Sequence, residues 1–146
     1  MENEQYDVEN TLLFTTFEFV SEGKKGKIRK IIRYSKYGQS GLFNLGFGDK
    51  IGETDKFDDK IVTNNGDGEK VLATVASTIP RFFDEYPEAV IYVRGSSPSR
   101  TRLYRMSISN ALDEITKIYD VLGSFNGHWE HFQENRDYFA FLITKK

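Results

Sequence analysis

The chain has 146 residues, no cysteine and a formal net charge of -2 from 20 basic and 22 acidic residues. This length suits one domain, which we predict over residues 1–146. The lack of cysteine excludes disulfides, thiolate nucleophiles and cysteine-zinc sites, and a chain without disulfides is consistent with a reducing cytoplasm. The start, MENEQYDVEN, is acidic, and no run reaches the roughly 20 apolar residues of a membrane span, so we expect a cytoplasmic protein without membrane contact.

The first half of the chain has the composition of β-strands. Residues 11–20 alternate with Phe17 and Phe19 on one face, which predicts one strand, and residues 21–26 are typical of a turn. Residues 27–34 place Lys27, Arg29 and Arg33 on one face, so we expect a hairpin whose second strand presents a basic row to solvent. Residues 42–47 and 57–63 predict two further strands.

Charges are segregated along this half of the chain. Residues 24–36 contain seven basic and no acidic residues, whereas residues 49–59 contain five acidic and two basic residues. Such blocks can create local fields that attract a partner, or they can form solvated edges and cross-strand ion pairs. Both interpretations remain open at this point.

The strongest helix pattern begins after Asp67. Asp67 is a suitable N-cap, Glu69 lies in the first turn, and a continuous apolar stripe extends from residue 71 to residue 86. Pro80 lies inside this stripe, and the stripe stays in phase beyond it. We therefore expect a kinked helix that continues past Pro80 and is closed by Pro87.

The second half begins with an apolar strand over residues 89–94, expected to be central in the sheet. Ser97, followed by proline at the first helical position, predicts the N-cap of a second helix. Leu103 and Met106 are predicted to face inward on this helix, with Tyr104 and Ile108 as further candidates. Asn110 resembles a second cap, so we expect the helix to break and restart, running to about residue 117.

The chain ends in predicted strands. Asn126 and Gly127 form the strongest hairpin signal, joining residues 119–125 to residues 129–132, and residues 138–144 alternate with Phe139, Phe141 and Ile143 on one face. The whole pattern predicts an α+β fold: a mostly antiparallel sheet of about six to eight strands with two main helices packed on one face.

No metal site or cofactor is expected from the sequence. His128 and His131 have the spacing of a metal pair, but residues three apart on a strand point to opposite faces. The acidic loop over residues 49–59 lacks the alternating carboxylates of a calcium loop.

The segment RGSSPSRTRLYR, residues 94–105, is the strongest candidate site. A strand that ends just before a helix directs the free amides of the helix at the intervening loop, which favours an anion. Hydroxyl and guanidinium groups would add donors for phosphate or carboxylate. The predicted ligand-binding residues of this segment are Arg94, Ser96, Ser97, Ser99, Arg100, Arg102 and Arg105.

Two further features qualify this prediction. The turn TNNGDG is either a tight strand-to-helix turn or the second wall of one pocket shared with residues 95–99, in which case Asn64 and Asn65 also bind the ligand. Alternatively, Ser97 only caps the helix, and the arginines pair with carboxylates such as those of Asp49, Asp55 or Asp59. Arg100 and Arg102 are expected at the surface.

Five stretches together carry a resemblance to a known family: FEFVSEGKKGKIRKII, NLGFGD, VTNNGDGEKVLATVAS, RGSSPSRTRLYRM and DYFAFL. In this order they resemble a small bacterial family catalogued only as a domain of unknown function. The resemblance spans nearly the whole chain and is consistent with one domain. It implies no activity and no catalytic residues.

The function best supported by the sequence is a non-enzymatic binding module for a phosphate-bearing ligand, with RNA or DNA as candidates. Two alternatives remain open. One is a protein-interaction module that uses the basic and acidic blocks. The other is a metal-independent enzyme that processes nucleic acid, because arginine, serine and tyrosine lie side by side in the cluster, although no general base can be identified.

Overall fold

The computed structural model describes residues 4–38, 40–54, 56–58 and 65–146. These residues form nine strands and three helices, and the strand pairs are mostly antiparallel, which confirms the predicted α+β class. Among the described helices, none combines the length and the apolar composition needed to cross a membrane.

The strands of the described residues are β1 (Glu9–Leu12), β2 (Thr16–Gly23), β3 (Gly26–Tyr37), β4 (Leu42–Lys50), β5 (Phe57–Asp58), β6 (Val90–Val93), β7 (Tyr119–Phe125), β8 (His128–His131) and β9 (Phe141–Lys145). The helices are α1 (Gly68–Glu85), α2 (Pro98–Asn110) and α3 (Leu112–Ile118). The chain divides into two compact units. The first contains the described residues of Met1–Tyr34 and Gly46–Tyr86, and the second contains those of Ser35–Leu45 and Pro87–Lys146. The expectation of a single domain stays a prediction.

In the first unit the strand order is β1-β2-β3-β4, with β5 paired to β4. The predicted hairpin is confirmed, because β2 and β3 pair antiparallel up to Gly23 opposite Gly26. The prediction of one strand over residues 11–20 is wrong. Leu13 and Phe14 have φ angles of 43° and 61° and reverse the chain, so β1 folds back onto β2. Bulky apolar residues rarely adopt this backbone, and alternation gives no signal for it.

The core of the first unit joins α1 to the hairpin. Tyr34 of β3 stacks on Phe82 of α1 with ring centroids 4.2 Å apart and an interplanar angle of 8°, and its hydroxyl shares a 2.6 Å hydrogen bond with the Thr78 hydroxyl. As predicted, α1 continues through Pro80 to Glu85. The fully buried apolar residues of this unit are Phe17, Ile31, Ile32, Phe82 and Phe83.

Asp67 occupies the N-cap position of α1 but does not cap the helix with its side chain. Its Oδ2 instead accepts hydrogen bonds of 2.5 Å from the hydroxyls of Tyr6 and Ser21. The Tyr6 amide donates to Thr74 Oγ1 at 2.8 Å, so the N-terminal segment is tied to α1. The predicted side-chain cap is wrong because these two hydroxyls compete for the carboxylate.

The two charge blocks pair with each other inside the first unit. The Lys30 ammonium lies 2.6 Å from the Asp49 carboxylate, with only 7% of the Lys30 side chain exposed. The described ion pairs of these blocks are Lys27–Glu22, Arg29–Glu18, Arg29–Glu53, Lys30–Asp49 and Lys50–Glu18. An exposed pair such as Lys27–Glu22 contributes at most about 1 kcal/mol. Lys27 and Arg29 of the predicted basic row are thus paired with carboxylates of the same unit.

In the second unit, which contains the Leu42–Leu45 part of β4, the strand order is β4-β6-β9-β7-β8. The β4–β6 pair is parallel, and β6 also pairs antiparallel with β9, so the strand predicted to be central has a partner on each side. The predicted Asn126-Gly127 hairpin is confirmed. Both turn residues have positive φ angles, 51° and 80°, as a type I′ turn requires.

The second helical region breaks and restarts as predicted. The break is at Ala111, which ends α2 and precedes α3, and not at Asn110, which is the last residue of α2. The Ala111 amide donates to the Ile108 carbonyl at 3.2 Å, so the last turn of α2 tightens before α3 begins.

Candidate anion site

The loop between β6 and α2 has the predicted local structure. Ser97 has an extended backbone, and its Oγ accepts a hydrogen bond of 3.2 Å from the Arg100 amide. Pro98 follows at the first helical position, where its missing N–H costs nothing. The predicted N-cap at Ser97 is therefore confirmed.

Gly95 allows the start of α2 to lie directly against the end of β6. The Gly95 amide donates to Thr101 Oγ1 at 3.0 Å, and the Thr101 hydroxyl donates to the Ser97 carbonyl at 3.2 Å. A Cβ atom at Gly95 would collide with the amide nitrogen of Thr101 and would lie 2.8 Å from the Arg100 carbonyl carbon. No other residue type fits this approach without moving the helix.

A depression of about 500 Å³ lies beside this loop, in the second unit. One wall is the loop with the first turns of α2, and the other wall is the segment before β9. The residues that line it are Arg94, Gly95, Ser96, Ser97, Pro98, Ser99, Thr101, Arg102, Arg105, Asp137, Tyr138 and Phe139. Six of the predicted ligand-binding residues are thus brought together, namely Arg94, Ser96, Ser97, Ser99, Arg102 and Arg105.

The charges around this depression are mostly positive. Arg94 is exposed, and its guanidinium lies 3.9 Å from the centroid of the Phe139 ring. Arg102 is also exposed, and among the residues that the structure describes neither Arg94 nor Arg102 forms an ion pair with a carboxylate. Arg105 pairs with Asp137 at 2.5 Å. Two guanidinium charges are therefore not compensated by carboxylates within the described chain.

Arg100 differs from its prediction. It was expected at the surface, but only 8% of the residue is exposed, and it does not line the depression. The buried residues of α2 are Arg100, Thr101 and Tyr104. Because the hydrogen bonds of Thr101 fix the rotation of α2 against Gly95, the adjacent Arg100 is turned inward as well.

The same rotation overturns the predicted inward face of α2 for Leu103 and Met106 but agrees with it for Tyr104. Leu103 and Met106 are each 48% exposed, whereas Tyr104 is 9% exposed. The apolar residues of α2 do not form a continuous stripe, so the pattern could not fix the phase of the helix, and the contact with Gly95 decides it.

Asn65 lies in the first unit and has a different environment. It is 2% exposed, its Oδ1 accepts from the Lys25 amide at 2.6 Å, and its Nδ2 donates to Ser21 Oγ at 3.1 Å and to the Gly26 carbonyl at 3.0 Å. These bonds close the β2–β3 turn. Asn64 lies outside the described residues, as do Asp55 and Asp59. A pocket shared by Asn65 and Ser97 stays a prediction, because the two residues belong to different units.

Sequence reasoning missed the wall opposite the cluster. The alternation places Phe139 on one strand face with Phe141 and Ile143, but Phe139 precedes β9 and is 55% exposed, whereas the other two are buried. Tyr138 beside it is buried. Its hydroxyl accepts from the Gln133 amide at 2.9 Å and donates to Glu130 at 3.2 Å, and burial raises the pKa of the Tyr138 hydroxyl. No local signal connects Asp137 or Phe139 with a loop about forty residues earlier; only the tertiary fold does.

The histidines and acidic residues give no metal-binding arrangement within the described part of the chain, where no three or more such side chains are grouped to hold an ion. His128 and His131 are both exposed at the ends of β8. The Asp49 carboxylate, considered as a partner for the arginine cluster, is instead paired with Lys30.

Comparison with known proteins agrees with the resemblance found in the sequence. The model of a family of unknown function, DUF6934, matches residues 2–146. No curated protein and no solved structure matches the chain.

Proposed function

We propose that this chain, which belongs to the DUF6934 family of unknown function, is a non-enzymatic binding module for a phosphate-bearing ligand, with RNA or DNA as the candidate. The ligand would lie in the depression between the start of α2 and the segment before β9. The observation that carries this proposal is the contrast between the basic residues of β3 that pair with carboxylates and the guanidinium groups of Arg94 and Arg102, which no described carboxylate neutralises.

The polar groups of the depression suit an anion with several oxygens. Arg94 and Arg102 offer forked N–H donors that match the geometry of phosphate oxygens, and Ser96 and Ser99 offer exposed hydroxyls. The Ser99 amide lies in the first turn of α2, where helix amides point toward the loop. A phosphate group in the depression would therefore be within reach of charged guanidinium donors and of neutral hydroxyl and amide donors.

The two alternative functions have weaker support. The basic and acidic blocks, which a protein-interaction module would use, are joined to each other by the pairs Arg29–Glu53 and Lys30–Asp49 in the first unit. For an enzyme, the site needs a general base. Because burial raises the pKa of Tyr138 above its usual value of about 10, this hydroxyl stays protonated near neutral pH and suits hydrogen bonding better than proton abstraction. We further propose a cytoplasmic location, since a chain without cysteine needs no oxidising compartment to fold.

The arginines are tested with inorganic polyphosphate, which presents phosphate without a base or sugar. We expect the double variant Arg94→Gln and Arg102→Gln to bind polyphosphate about 100-fold more weakly, because each lost charge-assisted contact costs about 1.5 kcal/mol or more. The slope of log K against log salt should also become shallower by about two, one for each arginine. Isothermal titration calorimetry at several salt concentrations measures both quantities.

The matched control is Arg29→Gln, which removes an exposed arginine that is already paired with Glu18 and Glu53. It should leave polyphosphate affinity within about twofold of the wild type, since a paired surface charge adds little to binding. Equal losses in the control and in the double variant would mean that only net charge matters, and the proposed site would be wrong.

Asp137 provides a test in the opposite direction. Its carboxylate lines the depression and forms an ion pair with Arg105, so it repels phosphate and makes the Arg105 guanidinium less available to a ligand. We expect Asp137→Asn to tighten polyphosphate binding by about fivefold, while the stability changes by at most about 1 kcal/mol because the ion pair is at the surface. Asp120→Asn, an exposed position on β7, makes the same charge change away from the depression and should have little effect. Equal gains in both variants would contradict the assignment.

A further inference from the structure

The exposed ring of Phe139 gives the proposed phosphate site a surface for a nucleobase. We propose that the depression binds single-stranded nucleic acid, with phosphates on Arg94 and Arg102 and an unpaired base stacked on Phe139. This inference rests on the proposed function, because it assigns a ligand class to the same depression.

The ring of Phe139 remains accessible although it already contacts a cation. Phe139 is 55% exposed with the guanidinium of Arg94 at 3.9 Å from its centroid, and Arg94 is itself exposed. The pair therefore presents two flat groups at the rim of the depression. Bases stack on aromatic rings and on guanidinium planes, and such stacking accepts any base because every base has a π-face.

The position of Phe139 is fixed before any ligand arrives. Its amide donates to the Ser124 carbonyl at 2.9 Å, and the neighbouring Tyr138 is 5% exposed. The Tyr138 ring packs on Gly123, where a Cβ atom would collide with it. Since the backbone of this segment is held against β7, stacking on Phe139 costs little backbone ordering entropy, which favours affinity.

The combination of groups favours a strand over a duplex or a free nucleotide. The depression holds two guanidinium groups that no described carboxylate neutralises and one exposed aromatic ring, which matches the alternation of phosphates and bases along a strand. In a duplex the bases are stacked inside the helix and cannot reach Phe139 without being unpaired. A mononucleotide carries a single phosphate position and would use only part of the depression.

The experiment compares ligands of equal length that differ in one feature. Fluorescence anisotropy measures the binding of labelled single-stranded oligothymidylate, of an abasic strand with the same number of phosphates and of the corresponding duplex, at one fixed salt concentration. Thymidine monophosphate serves as a competitor. The proteins are the wild type, Phe139→Leu, which keeps an apolar side chain but removes the flat ring, and the double variant Arg94→Gln and Arg102→Gln.

We expect the wild type to bind the oligothymidylate about tenfold more tightly than the abasic strand, since only the oligothymidylate has a base that can stack on the aromatic ring. Phe139→Leu should lose this preference and keep its affinity for the abasic strand. The duplex and the mononucleotide should both bind more weakly than the single strand.

Two kinds of failure can be told apart. The single-strand inference would be overturned, with phosphate binding left intact, by any of three results. The wild type could bind the abasic strand as tightly as the oligothymidylate, it could bind the duplex as tightly as the single strand, or the mononucleotide could compete as strongly as the strand itself. Unchanged affinity of the arginine double variant for every strand would overturn the proposed function as well. The wild-type comparison needs no variant, so it decides the inference even if Phe139→Leu is unstable.

Discussion

Replacing Gly95 by alanine is expected to destabilise the protein by about 3 kcal/mol, near the upper end of overpacking effects. The new methyl group would meet the backbone of Thr101 and Arg100, which cannot rotate away as a side chain can. The clash should also push α2 from the end of β6 and separate Ser97 from the opposite wall of the depression. Urea unfolding measures the loss of stability, and polyphosphate titration measures the accompanying loss of affinity.

The matched control for this change is Gly68→Ala at the start of α1. A Cβ atom at Gly68 has no neighbour within 4 Å, and alanine favours a helix, so the variant should be as stable as the wild type or slightly more stable. If Gly95→Ala left both stability and affinity unchanged, the close approach of α2 to Gly95 would be incorrect, and the described geometry of the loop would fail with it.

Asn65→Ala is expected to cost about 3 kcal/mol, because one buried side chain makes three hydrogen bonds that no other group can replace. The loss should lower the melting temperature by roughly 6–12 °C for a chain of this size. The position of Asn65 also depends on glycine at residue 23, because a Cβ atom there would collide with the Asn65 carbonyl oxygen. Thermal unfolding followed by circular dichroism checks the value.

The functional outcome of this variant separates two roles of Asn65. If the residue only closes the β2–β3 turn, folded Asn65→Ala should bind polyphosphate as the wild type does. A large loss of affinity in folded Asn65→Ala would instead mean that Asn65 contributes to ligand binding as well. Asn110→Ala, an exposed position at the end of α2, is the control and should change the free energy of unfolding by about 0.5 kcal/mol or less.

Local chemistry in the sequence predicted the start of the site well. Serine followed by proline defines a helix start within a few residues, and Asn126 with Gly127 defines a hairpin in the same way, so both could be assigned without tertiary information. The ion pairs between the two charge blocks of the first unit also correspond to one of the interpretations that the sequence left open.

The phase of α2 could not be predicted from its own residues. A polar helix without a continuous apolar stripe has no preferred buried face, so the contact with Gly95 turned Arg100 inward and left Leu103 and Met106 exposed. This error mattered for function, since Arg100 had been expected to bind the ligand from the surface.

The second wall of the depression depends on a contact that is distant in sequence. Phe139 fits an alternating strand pattern, and only the position of the segment before β9 reveals that its ring is exposed beside Arg94. Periodicity describes an element by itself, whereas the partner across a depression is set by how elements pack.

The proposed site is tested most directly by an NMR titration of the isotope-labelled protein with a short single-stranded oligonucleotide. We expect the largest chemical-shift changes at the amides of Ser96 and Ser99, at the guanidinium groups of Arg94 and Arg102 and at the ring of Phe139. Shifts centred on Lys27 and Arg29 in the basic row of β3 would contradict the proposed site. A lack of shifts at the proposed residues, when binding is measurable by other means, would contradict it as well.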